Sequence, residues 1–349
     1  MKLSYVSTSS IREALRYSMT RMQADLVAGQ KEVQSGKVAD TGLALGVRAG
    51  KTVSLSRDID RLKALADSNT LVSSRLTTTQ DSLSQLSHAA STFLTAMTSA
   101  SSGNATPETT RQSAVSMLQA LTGIVNSSFN GEHIFAGVNT DVVPLADYFA
   151  SGSPAKAAFD AAFEAEFGFA QSDAAAADIT PEEMTAFMDG AASDLFLGAG
   201  WSSVWSEATD QGITTRIALN ETAETSVSAN NEGIRKLVMA ATMVANLFEA
   251  PLNDQALATI AKSATLLVGE AMGDIAQTQA KTGFVEQRIS QATERITMQS
   301  DIFKSFLQDL EGVDPYEAST RVNALISQIE TSYALTARIQ QLSLTRLLS

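Results

Sequence analysis

The 349-residue chain contains no cysteine and only two histidines, His88 and His133. Thiolate nucleophiles, disulfides and cysteine-based zinc sites are therefore closed to it. A metal site would need carboxylates gathered around one of the imidazoles, and the sequence shows no such spacing. His88 sits beside Leu86 on the solvent side of a heptad register, and His133 follows a turn; both read as surface or packing residues. Ser153-Pro-Ala-Lys156 matches a Ser-x-x-Lys nucleophile pattern, a weak four-residue match in an acidic stretch. GVRAGKT (Gly46–Thr52) is one glycine short of a phosphate-binding loop: Leu45 stands where the first glycine is needed, and no strand precedes it. It reads as a glycine-relaxed connector. Glu182 and Glu183 are adjacent on an expected helix, so they do not face one pocket as acid–base catalysis requires. Trp201 and Trp205, four residues apart, suit the core of a small domain better than a ligand pocket. The residues thus point to no catalytic, cofactor-binding or metal site, and the chain reads as non-enzymatic. An enzyme carried in the acidic central region is the less favoured alternative.

Composition narrows the architecture. Hydrophobic residues make up 44% of the chain but aromatics only 6%, and there are six prolines. Such a core must come from Leu, Ile, Val, Met and Ala, which favours long helices over a β-sandwich. The net charge is −13, and it is concentrated. Between Asp141 and Asp210 there are 13 acids and one base, Lys156. No basic face is evident, which argues against nucleic-acid binding. The acidic block is expected to be a separate, well-solvated outer domain. VMAATMVANLF, from Val238, is the longest apolar run and falls short of the ~20 residues of a membrane helix, so no membrane insertion is expected. The first residues lack the apolar stretch of a cleaved signal peptide. The chain is expected to stay in the cytoplasm or to be exported by a route that needs no such signal.

The elements that position these residues are mostly rods. Residues 10 to 34 read as a helix carrying Ile11, Leu15, Met22 and Leu26. Glycines 36, 42, 46 and 50 then break the pattern. Leu55, Leu62, Asn69, Leu76, Leu83, Ala90 and Met97 recur every seven residues, as do Leu65, Val72, Thr79, Leu86 and Phe93. That is an a/d heptad pattern, whose seam needs partner helices. Thr106 and Pro107 start a third helix. The helix closes in FNGEHIFAGVNTDVVPL (Phe129–Leu145), where Asn130-Gly131 and Ala136-Gly137 mark turns around a short apolar patch. In the acidic middle, Thr180, Pro181 and Glu183 form a capping box. ITTRIAL and TAETSVS read as a β-hairpin. A long helix starts near Asp254 and carries Val285, Ile289, Ile296, Phe303, Phe306 and Leu310 at alternating spacings of four and three. Asp314 and Pro315 open the last helix, with Val322, Leu325, Ile329, Ile339 and Leu342, followed by Leu347 and Leu348.

The layout is nearly mirror-symmetric. The fold class is mainly α: a long antiparallel helical rod or bundle built from both chain ends, with an inserted acidic α+β central domain containing a short β-hairpin. The expected divisions are an N-terminal arm (1–40), the first half of a rod (41–137), an acidic insertion (138–230), the second half of the rod (231–312) and a C-terminal arm (313–349). Two arms alone make a thin pair with little core. They should be stable only when neighbouring copies cover them.

This layout resembles the flagellin superfamily. QKEVQSGKVAD (Gln30–Asp40) is similar to the family's segment ending in a Ser-Gly turn after the first helix. QQLSLTRLL (Gln340–Leu348) resembles its leucine-rich C-terminus. DTGLALG (Asp40–Gly46) keeps only part of the acidic stretch that follows in flagellin proper. Phe129–Leu145 is similar to the segment closing the third helix in the family's hook–filament junction members. The resemblance covers roughly residues 1–145 and 225–349. It implies a structural subunit of the bacterial flagellum without cofactors, exported unfolded through a type III apparatus. Its implied partners are other copies of itself in a ring, the first hook-associated protein on the hook side, flagellin on the filament side and an export chaperone. A flagellin that forms the filament itself is the alternative. The arms are expected to be disordered in the free subunit and to fold on assembly, burying Ile339, Leu342, Leu347 and Leu348.

Overall fold

The computed structural model describes residues 8–345. The chain forms two compact units, one of residues 1–64 and 296–349, the other of residues 65–295. The elements are mainly helical: α1 (Thr8–Ser35), α2 (Thr41–Leu45), α3 (Ala49–Ser101), α4 (Pro107–Val125), α5 (Pro154–Phe167), α6 (Pro181–Phe187), α7 (Ser193–Phe196), α8 (Glu232–Leu247), α9 (Asp254–Glu311) and α10 (Pro315–Thr345). Two antiparallel hairpins join them, β1 (Ser128–Phe129) with β2 (Glu132–His133) and β3 (Thr214–Ala218) with β4 (Glu221–Glu224).

Helix boundaries follow local chemistry. Thr106 caps α4 by accepting from the Thr109 N–H, with Pro107 first in the helix. Thr180 and Glu183 form a reciprocal capping box on α6. The Asp314 carboxylate accepts from the Tyr316 N–H at the start of α10. The Ser153 hydroxyl of the Ser-x-x-Lys stretch accepts the Lys156 N–H and caps α5. The GVRAGKT stretch is not a loop. It holds a 3₁₀ turn at Gly46–Arg48 and the first turn of α3.

The larger unit is built around α8. Of its 16 residues 13 are buried, so the apolar run from Val238 is a central helix covered on all sides. α4 packs against it. The acidic segment packs there too, and one continuous cluster joins Phe159, Phe163, Phe187, Phe196 and Trp205 to Leu237, Val244 and Leu121. The acidic segment thus shares this hydrophobic cluster with α8 and α4. Most of its charged residues face outward, while Phe159, Phe163 and Phe187 pack on one another and α7, with Phe196, reaches α8. Tyr148, Trp205 and Trp201 stack in sequence, with ring planes 2° and 12° apart, and the Arg235 guanidinium lies 5.5 Å from the Trp201 ring centre.

The β3–β4 hairpin seats Ile217 and Ala223 on Leu76, Ile289 and Ala292. Glu221 holds it down through Arg288 and Arg295, each at 3.0 Å. At the end of α4 the Asn126 side chain bonds both the N–H and the C=O of Leu145, at 2.9 and 2.8 Å. Phe129–Leu145 is thereby folded into a closed flap. Its first turn places Asn130 and Gly131 at φ 52° and 85°, the left-handed pair that a two-residue hairpin needs. β1–β2 had appeared in the sequence only as turn signals, since a two-residue strand leaves no alternation to read.

Candidate assembly surface

The seam residues expected on α3 are inward-facing. Leu62, Asn69, Leu76, Leu83, Leu86 and Phe93 are buried, and Leu65 and Val72 half-buried. On α9, Ile289 and Ile296 are buried and Val285, Phe303 and Leu310 half-buried. Phe306, expected on the seam, is instead 54% exposed. Past Ile296 the inward positions are Ser300, Phe303, Leu307 and Leu310. This phase turns Phe306 outward, on the same side as the exposed Met298 and Ile302.

In the smaller unit α1 and α10 pack along each other. Leu15, Met22 and Leu26 on α1, and Val322, Leu325 and Ile329 on α10, are half-buried. Ile11, Ile339, Leu342, Leu347 and Leu348 lie outside the residues whose side chains are described. Among the described side chains of the two arms, only Gly29 and Ala318 are fully buried. Tyr17, Val27, Tyr333 and Leu335 stay more than half or about half exposed.

The foot of the arms is a clasp. α1 ends with Gly36 at φ 68°, its N–H donating to the Glu32 C=O. The chain then pairs with the connector after α9. The Val38 N–H donates to the Glu311 C=O at 2.8 Å, and the Val313 N–H to the Gly36 C=O at 3.0 Å. Lys37 Nζ lies 3.1 Å from the Glu311 carboxylate. One Glu32 oxygen accepts the Ala39 N–H, and the other lies 3.5 Å from the Arg321 guanidinium. Glu32, Lys37, Glu311 and Arg321 were not singled out by sequence, because ion pairs between distant segments leave no local signal. Gly29 did leave one: a lone glycine inside a helical pattern costs about 1 kcal/mol and usually has a packing reason.

The residues first weighed for catalysis are scattered. His88 is exposed, and His133 Nδ1 is 2.9 Å from the Asn126 C=O. The Glu183 carboxyl is held below its ordinary pKa by the N–H and hydroxyl of Thr180, as a cap requires. Burial raises the Tyr148 phenol well above its usual range. Lys236 is raised by Asp274, Glu270 and Glu232, which surround it at 3.0 to 3.3 Å and tie α8 to α9. Among the described residues no group of three or more His, Cys, Asp or Glu is placed to hold a metal, and no helix is long and apolar enough to cross a membrane.

Comparison with known proteins agrees with this geometry. The model of the bacterial flagellin N-terminal helical region matches residues 6–140, and that of the C-terminal helical region matches residues 265–348. The chain belongs to the flagellin family. Both matched regions reach into the arms and take in α3 and most of α9, the helices read as rods. The family's domains are structural, and its members form part of the extracellular flagellum. None of the curated proteins compared with the chain matches it. A solved structure assigned as a flagellar hook-associated protein from Vibrio parahaemolyticus shares the fold, with a TM-score of 0.52 at 10% identity, over 76% of this chain and 97% of that one.

Proposed function

We propose that this flagellin-family subunit is the hook–filament junction protein, hook-associated protein 3. The carrying observation is the flap Phe129–Leu145. It is similar in sequence to the segment that closes the third helix in junction proteins, and here it is closed onto Asn126 and pinned at its start by Arg75, whose guanidinium meets Glu132 and the His133 C=O at 2.7 and 3.2 Å. The shared fold with a chain assigned as hook-associated is in line with this reading.

In this role the arms pack into the axial tube and the rods pack against neighbouring copies in a ring. Head-to-tail contacts of this kind need no two-fold axis. The first hook-associated protein meets the ring on the hook side and flagellin meets it on the filament side. The subunit reaches the growing tip unfolded, through the type III route and with an export chaperone. The five-part division into two arms, two rod halves and an acidic insertion belongs to the same reading. The second reading is a filament-forming flagellin, with which the flagellin-family matches are equally compatible.

Deletion of the gene separates the two. A junction protein, when lost, leaves finished hooks that shed flagellin into the medium. A filament protein, when lost, leaves hooks with no flagellin to shed. Filaments that still grow normally would refute both.

A further inference from the structure

Asn246 places a carboxamide, 5% exposed, near the end of the buried helix α8. Both ends of that carboxamide meet α5. Lys156 Nζ donates to its Oδ1 at 3.4 Å, and its Nδ2 donates to Asp160 Oδ1 at 3.3 Å. The triangle closes, because Asp160 Oδ2 lies 3.7 Å from Lys156 Nζ. From this we propose that Lys156 and Asn246 are a cross-linking pair, which joins α5 to α8 through a side-chain amide bond in the folded subunit. The proposal is independent of the choice between a junction and a filament protein.

The chemistry is complete within the triangle. An amine is a nucleophile, the carboxamide carbon is its electrophile, and a carboxylate in reach of both can move a proton between them. The neutral Nζ attacks Asn246 Cγ, and a Cγ–Nζ bond forms. The Cγ–Nδ2 bond breaks. The proton that Nζ sheds passes through the Asp160 carboxylate to Nδ2, which leaves as ammonia. Atoms and electrons balance with no oxidant or co-reactant.

Position supplies what the free groups lack. A lysine and a carboxamide in water meet rarely and part again, whereas the fold holds them together. Gln171 Nε2 donates to Asp160 Oδ1 at 3.2 Å and so helps to fix the carboxylate. The buried ring of Tyr148 lies 5.9 Å from Lys156 Nζ. All three reacting residues line an open cavity of about 280 Å³, through which ammonia can leave. The charged groups that share this cavity with Lys156 are Asp160 and Glu164 on α5 and Glu249 beyond the end of α8, all acidic. Since only a neutral amine attacks, alkaline conditions should speed the reaction. The chain has no cysteine with which to make a disulfide. The amide would close a loop across 90 positions, and a bond of that reach restrains the unfolded chain.

Mass spectrometry of the purified, folded full-length protein held at pH 9 tests this. The expected mass is about 17 Da below the sequence value, one ammonia lost, with residues 156 and 246 recovered in a single branched peptide. Lys156→Arg should keep its full mass. Asp160→Asn retains both reacting groups and should lower the joined fraction at matched times by about tenfold or more. A wild-type protein that keeps its full mass while its helical signal is intact would overturn the proposal, whatever the variants do. So would an ammonia loss that persists in Lys156→Arg, which would place it elsewhere in the chain, or a joined fraction unchanged in Asp160→Asn.

Discussion

Val322 fills the space that a side chain at position 29 would need: a Cβ built on Gly29 would lie 2.8 Å from Val322 Cγ2. Gly29→Leu should therefore push α10 away from α1 and abolish assembly, with thermal unfolding of the larger unit unchanged. The chain has no cysteine of its own. Gly29→Cys with Val322→Cys should thus give one clean disulfide on mild oxidation, given the usual Cβ separation of about 3.5–4.5 Å. Failure to crosslink, read by non-reducing electrophoresis, would contradict the arm packing.

Lys236 carries a pH prediction. Its pKa is raised in the folded protein by Asp274 first, then by Glu270 and Glu232. A group raised on folding contributes stability that is complete below its unfolded pKa, about 10.4, and is lost as pH climbs toward the folded value. Stability of the native chain should fall above pH ~10.5, more gently in Lys236→Met, measured by urea unfolding across pH. At pH 7 that variant should lose about 1–3 kcal/mol, since three carboxylates are left facing one another.

Asn69 is a buried polar residue on a leucine seam, and its Nδ2 donates to the Ile217 C=O at 2.9 Å and the Thr293 hydroxyl at 3.0 Å. Asn69→Ala should cost about 1–3 kcal/mol by taking the donor away from the buried Ile217 carbonyl. Proteolysis should become faster within residues 213–225, because the hairpin loses its anchor on α3.

Trp205 lies between Tyr148 and Trp201 in the aromatic stack and is almost fully buried. Trp205→Ala should destabilise the larger unit by about 3–5 kcal/mol in denaturant unfolding. An effect below about 1 kcal/mol would mean that the acidic segment is not part of that core.

What could be read in advance was what repeats locally. The seven-residue recurrence from Leu55 to Met97 marks a helix because burial on one face imposes a period, and α3 spans it. Thr106-Pro107 and Thr180-Pro181 mark helix starts because capping is chemistry between near neighbours. Phe306 was misplaced because the same spacings, four and three, fit two neighbouring phases, and only packing chooses between them. The acidic segment's union with α8 was invisible for a related reason: charge density reports the outward face, while Phe159, Phe187 and Phe196 report the inward one. The clasp is the hardest case. Lys37 and Glu311 are 274 positions apart in sequence and meet at 3.1 Å. Nothing at either position alone announces the other.

The junction role is tested most directly by immunogold labelling of detached flagella with antibody to residues 141–210. The acidic side chains there face outward and should be reachable in the assembled structure. A single band at the boundary between hook and filament is the predicted result. Label along the whole filament would contradict the junction role in favour of a filament flagellin, and bare flagella would contradict both.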